Sequence, residues 1–137
     1  MIITRTPFRI SFFGGGTDYP VWYKKRGGAV LSTTINRYGY ITCRLSPPFF
    51  KYKFRLIYSQ IEEVRHRSRI DHPSIKACLE FLKFNDNLSV QYDCDLPARS
   101  GLGSSSSFTV GLLNALCALQ GEMRTKRQLA LDAIRVE

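Results

Sequence analysis

Pro97-Ala98-Arg99-Ser100-Gly101-Leu102-Gly103-Ser104-Ser105-Ser106-Ser107 joins two unlike segments of the chain. A strand-like run, Leu88 to Asp93, leads into it, and an apolar, helix-like run from Phe108 to Leu119 leaves it. Gly101 and Gly103 let backbone approach a ligand closely, because no Cβ stands in the way. The serines then place hydroxyls and backbone N–H groups at the first turn of a helix. Unpaired donors and a partial positive charge at that end favour phosphate. Two plainer readings compete. Glycine–serine segments are often flexible linkers, yet Val110, Leu112, Leu113, Ala115, Leu116 and Leu119 follow at once. An ordinary serine N-cap explains one serine and leaves Gly-Leu-Gly unexplained.

A second glycine cluster lies near the start. Ile2, Ile3, Phe8, Ile10 and Phe12 read as a strand, with Arg5 and Arg9 among them. It runs into Gly14-Gly15-Gly16-Thr17-Asp18-Tyr19. One reading is a glycine-rich turn with Asp18 capping the next segment. The other places Asp18 in a cleft, accepting hydrogen bonds from substrate hydroxyls, with Arg9 as a fixed charge for phosphate oxygens.

Outward from these two stretches, Pro20 to Arg26 reads as a short helix stopped by Gly27-Gly28. Ala29 to Ile35 and Tyr38 to Leu45 read as two β-runs joined by Asn36-Arg37 in an antiparallel hairpin. Phe54 to Ser59 is a further strand. Basic residues among Phe49, Phe50, Tyr52 and Phe54 suit either single-stranded nucleic acid or a sheet with one buried face, and the sheet is favoured. Arg65, Arg67 and Arg69 read as an exposed basic edge. Pro73 starts a helix carrying Ile75, Cys78, Leu79, Phe81 and Leu82, which ends around Asn85 to Asn87. Thr125 caps a last helix still periodic at Glu137, so the chain reads as a piece of something longer.

At 137 residues, with 44% hydrophobic and 23% charged, the sequence suits one domain with a real core. No run approaches the ~18 apolar residues of a membrane span, and the N-terminus lacks a signal-peptide pattern. The expectation is a cytoplasmic protein with no membrane partner. Cys43, Cys78, Cys94 and Cys117 form no Cys-x-x-Cys pair and read as free buried thiols. Only two histidines occur, so no zinc-type site is expected. The net charge of +9 favours anionic partners without choosing among them.

Taken together, the two glycine stretches resemble the motifs of the galactokinase, homoserine kinase, mevalonate kinase and phosphomevalonate kinase (GHMP) superfamily. Pro7-x-Arg9 through Tyr19 is similar to its first motif, and Pro97 through Ser105 to its second, in matching order and separation. The wording Arg5-Thr6-Pro7 and Arg9-Ile10-Ser11-Phe12-Phe13-Gly14-Gly15-Gly16-Thr17-Asp18-Tyr19-Pro20 resembles the branch acting on D-glycero-D-manno-heptose 7-phosphate, as does Gly27 to Ile35. Fucose-type kinases share much of it.

The resemblance implies an α+β fold similar to certain ribosomal proteins, with a mixed or antiparallel sheet and helices on one face. It implies transfer of the ATP γ-phosphate to the anomeric hydroxyl of a sugar phosphate, through a loose transition state stabilised by position and charge. Pro97, Arg99, Gly101, Leu102, Gly103, Ser104, Ser105 and Ser106 would bind nucleotide, with Ser105 as hydroxyl ligand to Mg²⁺. Arg9 would neutralise the transferring phosphoryl group, and Thr17 and Asp18 would meet the sugar. The family's catalytic aspartate, acidic Mg²⁺ ligand and third motif are expected beyond Glu137, in an absent C-terminal domain, leaving these residues with little activity alone. A basic nucleic-acid-binding module is the weaker rival. A serine hydrolase is weaker still, since no Gly-x-Ser-x-Gly elbow is present.

Overall fold

In the computed structural model, which describes residues 1–97 and 100–137, five strands form one sheet in the order β1-β2-β5-β3-β4. In chain order these are β1 (Ile2–Phe13), β2 (Leu31–Leu45), β3 (Phe54–Ile57), β4 (Ile61–Val64) and β5 (Leu88–Cys94). The helices are α1 (Pro20–Arg26), α2 (Pro73–Phe81), α3 (Ser104–Leu119) and α4 (Lys126–Val136). Only β3 and β5 run parallel; the other pairings are antiparallel. The sheet is therefore mixed. Pro7 sits on the edge strand β1, where a missing N–H is tolerated.

One face of the sheet carries the core. Ile41 and Cys43 of β2, Leu88 and Val90 of β5, and Phe54 and Leu56 of β3 alternate inward against Ile75 and Leu79 of α2 and Leu112, Leu113 and Leu116 of α3. Each fully buried leucine contributes about 1.5–3 kcal/mol. Helix α3 is buried around most of its girth because the sheet lies on one side and α2 and α4 on the other. Helix α4 presents Leu129 and Ala133 to this core. Its start is closed reciprocally by Thr125 and Gln128, a capping box.

Several expectations are overturned. The hairpin at Asn36-Arg37 does not form. Both flanking runs pair with β1, Tyr38–Cys43 with the Pro7–Ile2 side and Leu31–Thr34 with the Phe13–Arg9 side, so β2 is one strand. Between Arg9↔Thr34 and Pro7↔Tyr38 the longer count falls on β2, which makes Asn36-Arg37 part of a bulge. Strand β4 escaped notice because its inward residue is Glu62, 8% exposed. Arg67 is no free edge. Its Nη1 donates to the carbonyls of Leu79 (3.2 Å) and Phe84 (3.4 Å), at and beyond the end of α2. Phe49, Phe50 and Tyr52 lie in the loop before β3 rather than on the sheet, with Phe50 and Tyr52 stacked at 5.0 Å. Cys94 is exposed, unlike Cys43, Cys78 and Cys117.

Candidate active site

The two glycine stretches meet. The Arg9 backbone N–H donates to the carbonyl of Leu102 at 3.0 Å. The Arg9 side chain lies so near Gly103 that a Cβ there would stand 2.9 Å from its Cγ and 3.4 Å from Cζ. Gly103 also holds φ +74, a conformation L side chains rarely adopt. Pro7 and the helix are tied as well: the buried Ser107 donates its hydroxyl to the Pro7 carbonyl at 2.9 Å. The serine turn is thus fastened to β1 at Arg9 and at Pro7, and the guanidinium, half-buried with Nη1 on Ser11 Oγ at 3.1 Å, stands beside it.

Helix α3 begins at Ser104, and the first backbone bond into its ladder runs from Ser107 N–H to Gly103 carbonyl. The N–H groups of Ser104, Ser105 and Ser106 precede that ladder, and Gly103 has no side chain to cap them. They form the donor set expected of an anion-binding helix start. Beneath the turn, Phe108 packs against Tyr92 at 4.9 Å and against His72 at 5.0 Å, which anchors the first turn in the core. Pro97 and Ser100 are exposed beside the turn. Arg99 lies outside the described residues.

The sequence reading passed over one participant. Leu129, Ala133 and Glu137 share a helical face at spacings of four, and that face meets α3. It brings the Glu137 carboxylate to the serine turn, where Oε1 accepts from Ser105 Oγ at 3.2 Å and from Thr109 Oγ1 at 3.2 Å. Ser105 and Glu137 are both exposed. A hydroxyl and a carboxylate side by side suit Mg²⁺, which binds through one or two protein oxygens and takes the rest from phosphates and water. No cluster of three or more His, Cys, Asp or Glu exists among the described residues.

The first motif is built differently. The Thr17 hydroxyl donates within its own turn, to Gly14 carbonyl at 2.7 Å and Ala29 carbonyl at 3.2 Å. Its donor is therefore engaged within the turn. Asp18 does not cap α1; its Oδ1 accepts from the Gly16 N–H at 3.0 Å and the carboxylate stays exposed. Thr17, Asp18, Tyr23, Gly27, Gly28, Ala29 and Val30 line an open cleft of about 470 Å³. Arg9 and Phe13 are four residues apart on β1, roughly 13 Å at strand rise, so cleft and cradle open at the same end of the sheet.

The chain's second half, residues 73–137, matches the family model described as GHMP kinases N terminal domain. In fold the chain is similar to a GHMP kinase N-terminal domain. It is 33% identical over 128 residues to D-glycero-alpha-D-manno-heptose 7-phosphate kinase of Campylobacter jejuni, covering 83% of this chain and 36% of that protein. It is 36% identical over 80 residues to mevalonate kinase of Methanothermobacter thermautotrophicus, covering 54% of this chain and 26% of that one. The crystal structure of a D-glycero-D-manno-heptose 1-phosphate kinase from Bacteroides thetaiotaomicron superposes with a TM-score of 0.85 at 21% identity, over 100% of this chain and 48% of that chain. The chain spans 36% and 26% of the length of these curated relatives and 48% of the solved structure. No helix among the described residues is long and apolar enough to cross a membrane.

Proposed function

We propose that this chain is the nucleotide-binding side of an ATP-dependent cytoplasmic sugar kinase. The kinase transfers the γ-phosphoryl group to the anomeric hydroxyl of a heptose 7-phosphate and yields the 1,7-bisphosphate. The observation that carries the reading is the clamp of Arg9 on Leu102 and Gly103, which sets a fixed cation beside the serine-turn donors. In this reading the N–H groups of Ser104 to Ser106 bind the β- and γ-phosphate oxygens. Arg9 balances charge on the group in transfer, and Asp18 accepts from a sugar hydroxyl across the open cleft. Ser105 and Glu137 hold Mg²⁺, which when bound offsets phosphate charge. The heptose assignment is supported by the motif wording and by the names of the heptose kinases above.

Among the described residues, no carboxylate other than Glu137 makes a hydrogen bond to the serine turn. Glu137 is engaged with Ser105 as a metal partner in this reading, so we assign the base to chain outside these residues and expect binding without turnover from them. Calorimetric titration with MgATP tests the binding. Saturable one-to-one binding is expected, abolished in Gly103→Val and weakened in Ser105→Ala. Absence of MgATP binding beside tight, steeply salt-dependent binding of single-stranded nucleic acid would overturn the reading. Near-native turnover of heptose 7-phosphate by the 137-residue chain would sink the assignment of the base.

A further inference from the structure

Thr109 lies one helical turn after Ser105, is 0% exposed, and sends its hydroxyl to a carboxylate 28 residues away, Glu137 Oε1, at 3.2 Å. A buried threonine in a helix commonly returns its hydroxyl to the carbonyl one turn back. Here the donor points across to α4 and meets the same oxygen that Ser105 Oγ reaches. Glu137 is itself exposed, so nothing in the core demands this bond for satisfaction of the carboxylate. The bond restricts it. A glutamate side chain loses rotamer freedom on being fixed, and a carboxylate already oriented does not lose it again when a cation arrives.

We propose that Thr109 is a positioning residue that holds the Glu137 carboxylate against Ser105 so that the two present adjacent oxygens to a divalent cation. The inference rests on the phosphotransfer reading above. Thr109 touches neither nucleotide nor metal in it; its effect passes through Glu137. Outer-shell donors to ligating carboxylates typically change metal affinity 10–100-fold, which sets the scale of the effect.

The probe is Mn²⁺, followed by its paramagnetic resonance signal in the presence of saturating ADP, with ADP binding alone as a separate titration. Thr109→Val keeps shape and removes the hydroxyl; it is expected to weaken Mn²⁺ binding about tenfold or more and leave metal-free ADP affinity unchanged. Thr109→Ser is expected to restore Mn²⁺ affinity to within about threefold. Should the valine variant fail to fold, Thr109→Ala takes its place under the same comparison. Weakened Mn²⁺ binding in Ser105→Ala and Glu137→Gln but wild-type binding in the valine and alanine variants overturns the positioning role alone. Wild-type Mn²⁺ binding in all four variants overturns the metal site itself.

Discussion

The two glycine-rich turns face the same end of the sheet and are supported in opposite ways. The Gly101–Ser107 turn feeds a helix whose residues Ser107, Phe108, Thr109, Gly111, Leu112 and Leu113 are all buried, and it is fastened to β1 and faced by α4. The Gly14–Asp18 turn bonds chiefly to itself and to Ala29, and the α1 helix after it has no buried residue at all. Phe12, Phe13, Tyr19, Val21, Trp22 and Tyr23 remain exposed around it. Phosphate binding by backbone N–H groups needs a rigid frame, because misplaced dipoles lose their effect over short distances. The second turn has that frame by virtue of the core beneath it.

The contrast can be broken most severely through the core. Leu116→Ala, at a fully buried position of α3, should cost about 2–5 kcal/mol by chemical denaturation. Trp22→Ala, 44% exposed on α1, should stay within about 0.5 kcal/mol. Equal losses at both sites would show that α1 is as firmly supported as α3. A smaller, local effect is expected at Gly14, where φ is +80 and a Cβ would run into the Ala29 carbonyl oxygen. Gly14→Ala should disturb the 470 Å³ cleft and lower acceptor-sugar affinity while MgATP affinity, read by calorimetry, stays within about twofold. A matched loss of nucleotide binding would mean that the two turns are coupled rather than independent.

The smallest effect concerns pH. His72 caps α2, its Nδ1 accepting from the Ile75 N–H at 3.4 Å, and its ring packs on Tyr58 and Phe108. Burial pushes its pKa below the ordinary histidine value of 6.5, against a smaller upward pull from Glu62. Glu62 accepts from the Tyr58 hydroxyl and from the N–H groups of Asp71 and His72. A depressed folded-state pKa means that the unfolded chain binds the proton first. The contribution is therefore present above pH 6.5 and is lost as pH falls through the folded value. Protonation at Nδ1 would also end the cap and place a cation at a helix start. The denaturation midpoint should fall more steeply below pH 6.5 in the wild type than in His72→Asn, which caps without titrating; parallel curves would refute this.

Much of this was legible because local chemistry and tertiary packing agree. The α3 start, the α4 cap at Thr125, the Pro73 start of α2 and the two motifs all carry side chains or glycines whose local preference matches their place. Reading failed where a signal has two solutions. Asn36-Arg37 has turn character, but a strand can absorb such a pair as a bulge when both flanks find the same neighbour. In β4 the inward Glu62 reverses the usual alternation, since its oxygens are bonded to backbone N–H groups around Asp71 and His72. Arg67 resembled a solvated charge until the carbonyls at the end of α2 came within its reach.

A phosphate-favouring turn, a second glycine turn bearing an acid, and a core able to carry both follow from the residues alone. Those are consequences of backbone freedom and helix polarity, which local residues dictate. The approach of Arg9 to Gly103, and of Glu137 to Ser105 and Thr109, came from the fold. Those meetings depend on which helix faces pack together, and packing is settled by burial across the whole chain rather than by any one segment.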